Sequence, residues 1–170
     1  PTAPQRFLCE IPYDGVKKRL SRFGLSERML RLGPRGAAWI DEKQFLFCCK
    51  GGIYRADTVS GFVVREHRFP EGMSAPLSLC DLSGVHGFTD GVLYGDYTGR
   101  HQDISIVRRT LAGDWQSVYT FPKGTVLHIH ALIPDPANGR VLILTGDRDA
   151  ESGIWEARDD FRQVHPLLRG

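Results

Sequence analysis

A repeat constrains this chain more than any other feature. Three short runs share one order of residues: Ile53-Tyr54-Arg55-Ala56, Ile106-Val107-Arg108-Arg109 and Ile154-Trp155-Glu156-Ala157, with first residues 53 and 48 positions apart. Each is preceded by an apolar run, Phe45 to Cys49, Val92 to Tyr97 and Val141 to Thr145. Each is followed by a bulky residue that opens another run: Phe62, Trp115 and Phe161. A fourth run lies upstream in every unit, at 37–40, at 77–80 or a little later, and at 127–133. Four short β-rich runs on a period near 50 residues form the pattern of a propeller blade. A sandwich of irregular strands gives no reason for three units to share an internal order.

The repeat therefore predicts an all-β chain of about three four-stranded, propeller-type blades, at roughly 35–70, 74–122 and 126–168, forming one structural domain over 35–170. Residues 1–34 form a separate opening segment. Within it, 7–11 reads as a strand that completes another blade's sheet, 16–23 as a basic helical turn or two, and 28–32 as a strand. A closed ring takes about four to eight blades. Three leave ladder groups and apolar surface open at an edge. A cover is expected: a second copy making a six-bladed homodimer, the missing half of a longer propeller, or another subunit.

Composition excludes several classes. The formal charge of +2 provides no long-range pull toward nucleic acid or an anionic membrane. The local basic clusters, Lys17, Lys18, Arg19 and Arg22 with Arg28, Arg31 and Arg35, read as a solvated face. No apolar stretch has the length of a membrane span. The cysteines, Cys9, Cys48, Cys49 and Cys80, include no C-x-x-C pair and fit no zinc pattern. Cys48 and Cys49 fall in one strand and so point to opposite faces. Reduced thiols and a cytoplasmic location are expected, although a start at Pro1 leaves room for processing. Trp39, Trp115 and Trp155 read as core or inter-blade packing. No P-loop, dinucleotide fingerprint or nucleophile elbow is present, and no cofactor or metal is assigned.

Propeller geometry narrows where chemistry sits. The start of a blade's inner strand and the loop joining its second and third strands share one face. Three stretches fall there. Leu127-His128-Ile129-His130 places two imidazoles two residues apart, on one face of a regular strand. They can relay a proton, hold a sugar hydroxyl, or ligate a metal if Asp147 or Glu151 adds a third ligand. The loop from Thr145 to Gly153 carries Asp147, Arg148, Asp149 and Glu151; paired carboxylates are what glycoside hydrolysis requires. Its Thr145-Gly146-Asp147 start also reads as a turn with positive φ at Gly146. Tyr97 opens a long loop that also contains Arg100 and His101, and Tyr97 and Arg100 are suited to stacking on and hydrogen-bonding a sugar. The candidate catalytic set is His128, His130, Asp147 and Glu151. The candidate ligand-binding set is Arg35, Tyr97, Arg100, His101 and Arg148.

The turn Arg109-Thr110-Leu111-Ala112-Gly113-Asp114-Trp115 resembles the Asp-box, Ser/Thr-x-Asp-x-Gly-x-Thr-Trp, of the sialidase and BNR-repeat propellers. Leu111 and Ala112 occupy the region of the motif's aspartate, and the turns at Asp57 to Phe62 and Asp159 to Phe161 depart further. The chain is most similar to the uncharacterised, divergent branch of that family. The resemblance covers roughly 35–168 and implies a propeller fold with a carbohydrate-binding loop face. The sialidases' Arg-Ile-Pro signature is absent, and Arg35 is the nearest counterpart to one of their sugar-binding arginines.

Three functions compete. The leading one is a module that binds carbohydrate or a protein partner at its loop face. The second is a glycan-active hydrolase or lyase using His128 and His130 with Asp147 and Glu151. The third is a structural assembly module whose open edge is the working surface.

Overall fold

The computed structural model describes residues 11, 13, 15–20, 29, 33–49 and 51–170. A short helix, α1 (Gly15–Leu20), stands where a basic helical turn was expected. Twelve strands follow: β1 (Gly36–Trp39), β2 (Gln44–Cys49), β3 (Gly52–Asp57), β4 (Val63–His67), β5 (Cys80–Asp81), β6 (Val92–Gly95), β7 (Ile104–Arg109), β8 (Trp115–Phe121), β9 (Ile129–Asp135), β10 (Arg140–Thr145), β11 (Gly153–Arg158) and β12 (Gln163–Arg169). They form three four-stranded antiparallel meanders, β1 to β4, β5 to β8 and β9 to β12. These are the three blades of the repeat. The strands expected at 7–11 and 28–32 lie outside the described residues, except Ile11 and Met29, which are not in strands.

The repeat register holds to the residue. In each blade the third and fourth strands slip by one position just after the repeat isoleucine. Ile53 faces His67 but Tyr54 faces Arg65; Ile106 faces Tyr119 but Val107 faces Ser117; Ile154 faces Leu168 but Trp155 faces Pro166. A bulge at an equivalent place in every blade bends the outer strand and raises its local twist.

The core lies between blades. Leu46, Cys48 and Ile53 of the first blade pack on Val92 and Tyr94 of the second. Leu93, Ile104, Ile106 and Phe121 of the second pack on Ile129, Val141, Ile143 and Trp155 of the third. Alternation along β7 explains how one strand serves both sides. Ile104, Ile106 and Arg108 face the third blade, while Val107 and Arg109 face the first. Buried Arg108 meets Asp160 (Nη1 to Oδ1 2.6 Å), which also accepts from the amide and hydroxyl of Thr89. Buried Arg109 is held by Glu66, the bulged residue of β4, which also takes Arg55 at 3.0 Å. Blade two is thus ion-paired to both neighbours.

Cys48 and Cys49 do face opposite ways, the first toward blade two and the second toward the outer side of blade one. That outer side is not bare, because Ile11, Tyr13 and Leu20 of the opening segment pack on Phe47, Cys49, Tyr54 and Ala56. The expectation of an uncovered edge is corrected there. At the other end, Ile154 occupies the position that Ile53 and Ile106 bury completely against the next blade, yet it stays partly exposed beside Leu144 and Leu168. Trp115 and Trp155 are inter-blade residues, stacked on His67 (4.7 Å) and packed edge-on against Phe121 (5.0 Å). Trp39 is not: it is 58% exposed, lying beside Phe45. Among the described residues no helix is long and apolar enough to cross a membrane.

Candidate functional site

The site is built where blade two meets blade three. The backbone of Gly95 approaches so closely that an added Cβ would sit 2.4 Å from Cβ and Cγ2 of Ile129. The Ile129 amide donates to the Asp96 carbonyl at 3.0 Å, locking the start of β9 to the end of β6. Asp96 is itself buried, and burial raises its pKa against the opposing bond from the Ser105 amide.

The two flanking histidines converge, but not through regular alternation. His128 precedes β9. Beyond Ile129 the pairing with β10 slips, Thr145 facing Ile129 and Leu144 facing Ala131, so His130 is the bulged residue. A bulge re-aims a side chain, and bulges recur beside active sites for that reason. Here it turns His130 onto His128, with the two Nε2 atoms 3.2 Å apart.

Asp147 closes the cluster from the loop after β10. Its Oδ1 lies 3.1 Å from His130 Nε2 and its Oδ2 3.2 Å from His128 Nε2. Its backbone is in an unfavourable region, φ 133°. The positive φ expected at Gly146 falls on Asp147 instead, a strained placement of the kind functional sites retain. Gly146 matters for a different reason, since a Cβ there would lie 3.2 Å from His130 Nε2. His128 is buried and its Nδ1 bonds the Thr98 carbonyl at 2.8 Å, fixing that nitrogen as the donor. The ring of Tyr97 lies over it, 4.4 Å between centroids. Asp147 is exposed, so the cluster opens to solvent on that side. His128, His130 and Asp147 are close enough that one ion could take a ligand atom from each.

The other expected residues divide. Glu151 does not join the cluster; it pairs with His101 (3.0 Å), tying the loops of blades two and three together. Arg35 spends its guanidinium on the Ala75 carbonyl (3.0 Å). Arg100 lies against Gly72, with its amide on the Thr98 hydroxyl. Arg148 is exposed and its carbonyl caps the turn at Glu151 and Ser152. Thr98, which sequence reasoning did not single out, positions His128; its own hydroxyl donates to the Gly72 carbonyl at 3.0 Å. Its signal is only its place next to Tyr97. Beside His130, an open cavity of about 460 Å³ runs over Leu144, Ile154 and Leu168.

No family model matches the sequence, and no curated protein matches it. Among solved structures the fold is similar to that of a chain in a nidogen/laminin complex, with 16% identity and a TM-score of 0.56 over 80% of this chain. At that identity the likeness is one of fold alone. This chain spans about half the length of that chain, which is covered to 48%.

Proposed function

We propose that this chain is a propeller module that binds a ligand at its loop face, centred on His128, His130 and Asp147. One observation carries this reading. Three polar side chains from two separate segments converge within 3.2 Å of one another, beside solvent, at the cost of a bulge and a strained aspartate. The BNR-like turn at Trp115 supports carbohydrate as the ligand class. The nidogen/laminin likeness supports a protein partner as the alternative. Binding is favoured over hydrolysis because Glu151, the second carboxylate hydrolysis would need, is paired with His101. Glycan-array binding and glycoside hydrolysis assays on the wild type and His130→Ala test the proposal. Retained glycans lost in the variant support it, turnover moves the protein to the enzyme class, and no glycan bound in the array rejects carbohydrate as the ligand class.

A second reading, assembly, is favoured by the partly exposed Ile154 and the apolar face around it. A further blade, from a second copy or a longer chain, fits where that isoleucine's counterparts are buried. Light scattering that finds only a 19 kDa monomer rejects the homodimer form.

A further inference from the structure

We infer that the His128–His130–Asp147 cluster is a site for a divalent first-row transition ion, with zinc the best match to its donor set. This deepens the loop-face reading and rests on it. The first argument concerns protons. Because the Thr98 carbonyl can only accept, His128 Nδ1 carries a hydrogen, and the neutral ring then turns a lone pair on Nε2 toward the cluster. Asp147 Oδ2, also an acceptor, faces that lone pair at 3.2 Å. Two acceptors facing each other repel, and a cation between them turns that repulsion into two favourable contacts, as a hydrogen on a ring Nε2 would for only part of the cluster.

The second argument is size. Ligand atoms about 2.1 Å from an ion stand about 3.0 Å apart in octahedral and about 3.4 Å apart in tetrahedral geometry. The separations here, 3.2, 3.1 and 3.2 Å, fall between those limits. The two Asp147 separations run to different oxygens, Oδ1 to His130 and Oδ2 to His128, and an ion can take a ligand atom from each of the three residues. The third argument is the outer support. A metal-bound histidine ordinarily donates its other ring hydrogen to a carbonyl or carboxylate, which fixes the tautomer. His128 already does so, and Tyr97 holds its ring in place. Gly146 leaves the space beside His130 Nε2 that a Cβ would crowd. Two nitrogens and one oxygen suit zinc, and three protein ligands leave positions for water or an oxygen-donor ligand. Exposed Asp147 leaves the cluster open to solvent for such a ligand.

The test is titration of chelator-dialysed protein with Zn²⁺, and with Co²⁺, whose visible absorption reports its ligands. One ion per chain is expected, with a dissociation constant on the order of 1 μM or tighter. His130→Ala and Asp147→Asn should weaken binding by roughly 100-fold or more while circular dichroism stays that of a folded protein. His86→Ala, an exposed histidine elsewhere, should leave it unchanged. Sub-stoichiometric binding in the wild type, or full affinity in both variants, overturns the inference. Running the glycan array with Zn²⁺ and with EDTA separates the two proposals. Glycan binding that needs His130 but persists in EDTA overturns the ion and keeps the loop-face ligand site. A Zn²⁺ requirement supports both. Stoichiometric Zn²⁺ with no glycan retained supports the ion and removes the carbohydrate ligand.

Discussion

Gly95→Ala is the substitution that most directly probes how the site is positioned. The new methyl would stand 2.4 Å from Cβ and Cγ2 of Ile129 and 2.9 Å from its Cδ1. Carbon atoms settle near 3.6 Å, so β6 and β9 must separate by about 1.2 Å. Ile129 is buried and cannot rotate away. A shift of that size stretches its amide bond to the Asp96 carbonyl from 3.0 Å to beyond a useful hydrogen bond. Overpacking costs about 2 kcal/mol and the lost bond about 1, so roughly 3 kcal/mol in total. For a chain of this length that lowers the melting temperature by roughly 9 °C. Urea unfolding measures the cost. Repeating it in an Ile129→Gly background should recover most of that cost, because Cβ, Cγ2 and Cδ1, the atoms the new methyl would meet, are all gone. The displacement also draws His128 away from the Thr98 carbonyl that orients it, so ligand or ion binding should weaken with the fold still intact. Wild-type stability in Gly95→Ala, or costs that simply add in the double variant, would refute the close-approach argument.

Asp147→Gly should stabilise the fold by about 1 kcal/mol in urea, because glycine tolerates φ 133°, while abolishing binding at the cluster; a loss of stability would show that the aspartate is not strained. Asp160→Asn should cost about 2 kcal/mol at neutral pH by leaving buried Arg108 without its counter-ion, a value kept low because Asp160 is partly exposed. The Asp160 carboxyl is subject to desolvation that raises its pKa, but the bonds from Arg108 and Thr89 together outweigh this and hold it below the usual 3.8. Its contribution is therefore complete above that value and lost as pH falls through the lower folded one. Acid unfolding of Asp160→Asn should lack this step, and an unchanged acid limb would remove Arg108–Asp160 from the account. Burial, aided by the Asp81 charge, pushes the Cys80 thiol up to about 12. In a Cys9→Ser protein, a thiol reagent at pH 8 should label nothing until urea unfolds the chain; rapid labelling of the native state would contradict the buried placement of Cys48, Cys49 and Cys80.

The blades were legible because their signal is repeated. Ile53, Ile106 and Ile154 mark one position of the third strand, and each is followed by the same bulge. The site was legible in its membership but not in its construction. His128 and His130 were expected to meet because residues two apart share a strand face; they meet because His130 is bulged. The slip puts Ile129 and Leu132, three positions apart, on one core face, and the unbroken apolar run Ala131-Leu132-Ile133 hides that change of phase from the sequence. The same limit placed positive φ on Gly146 rather than Asp147. Glu151 and His101 were each singled out, but their pairing joins loops 50 positions apart and follows only from how two blades sit. The missed signal was Arg108-Arg109. Two arginines inside a third strand, where the other blades have one charge and an alanine, are costly to bury unless each has a partner. Adjacent residues on a strand face opposite ways, so their partners must lie on opposite neighbours, and they do, in Asp160 and Glu66. These pairs hold blade two between the others, while Gly95 sets how near β9 can come. The three residues of the histidine–aspartate cluster all belong to blade three, but the carbonyl that orients His128 and the ring that lies over it come from blade two, so the interface between the blades sets how the cluster is held.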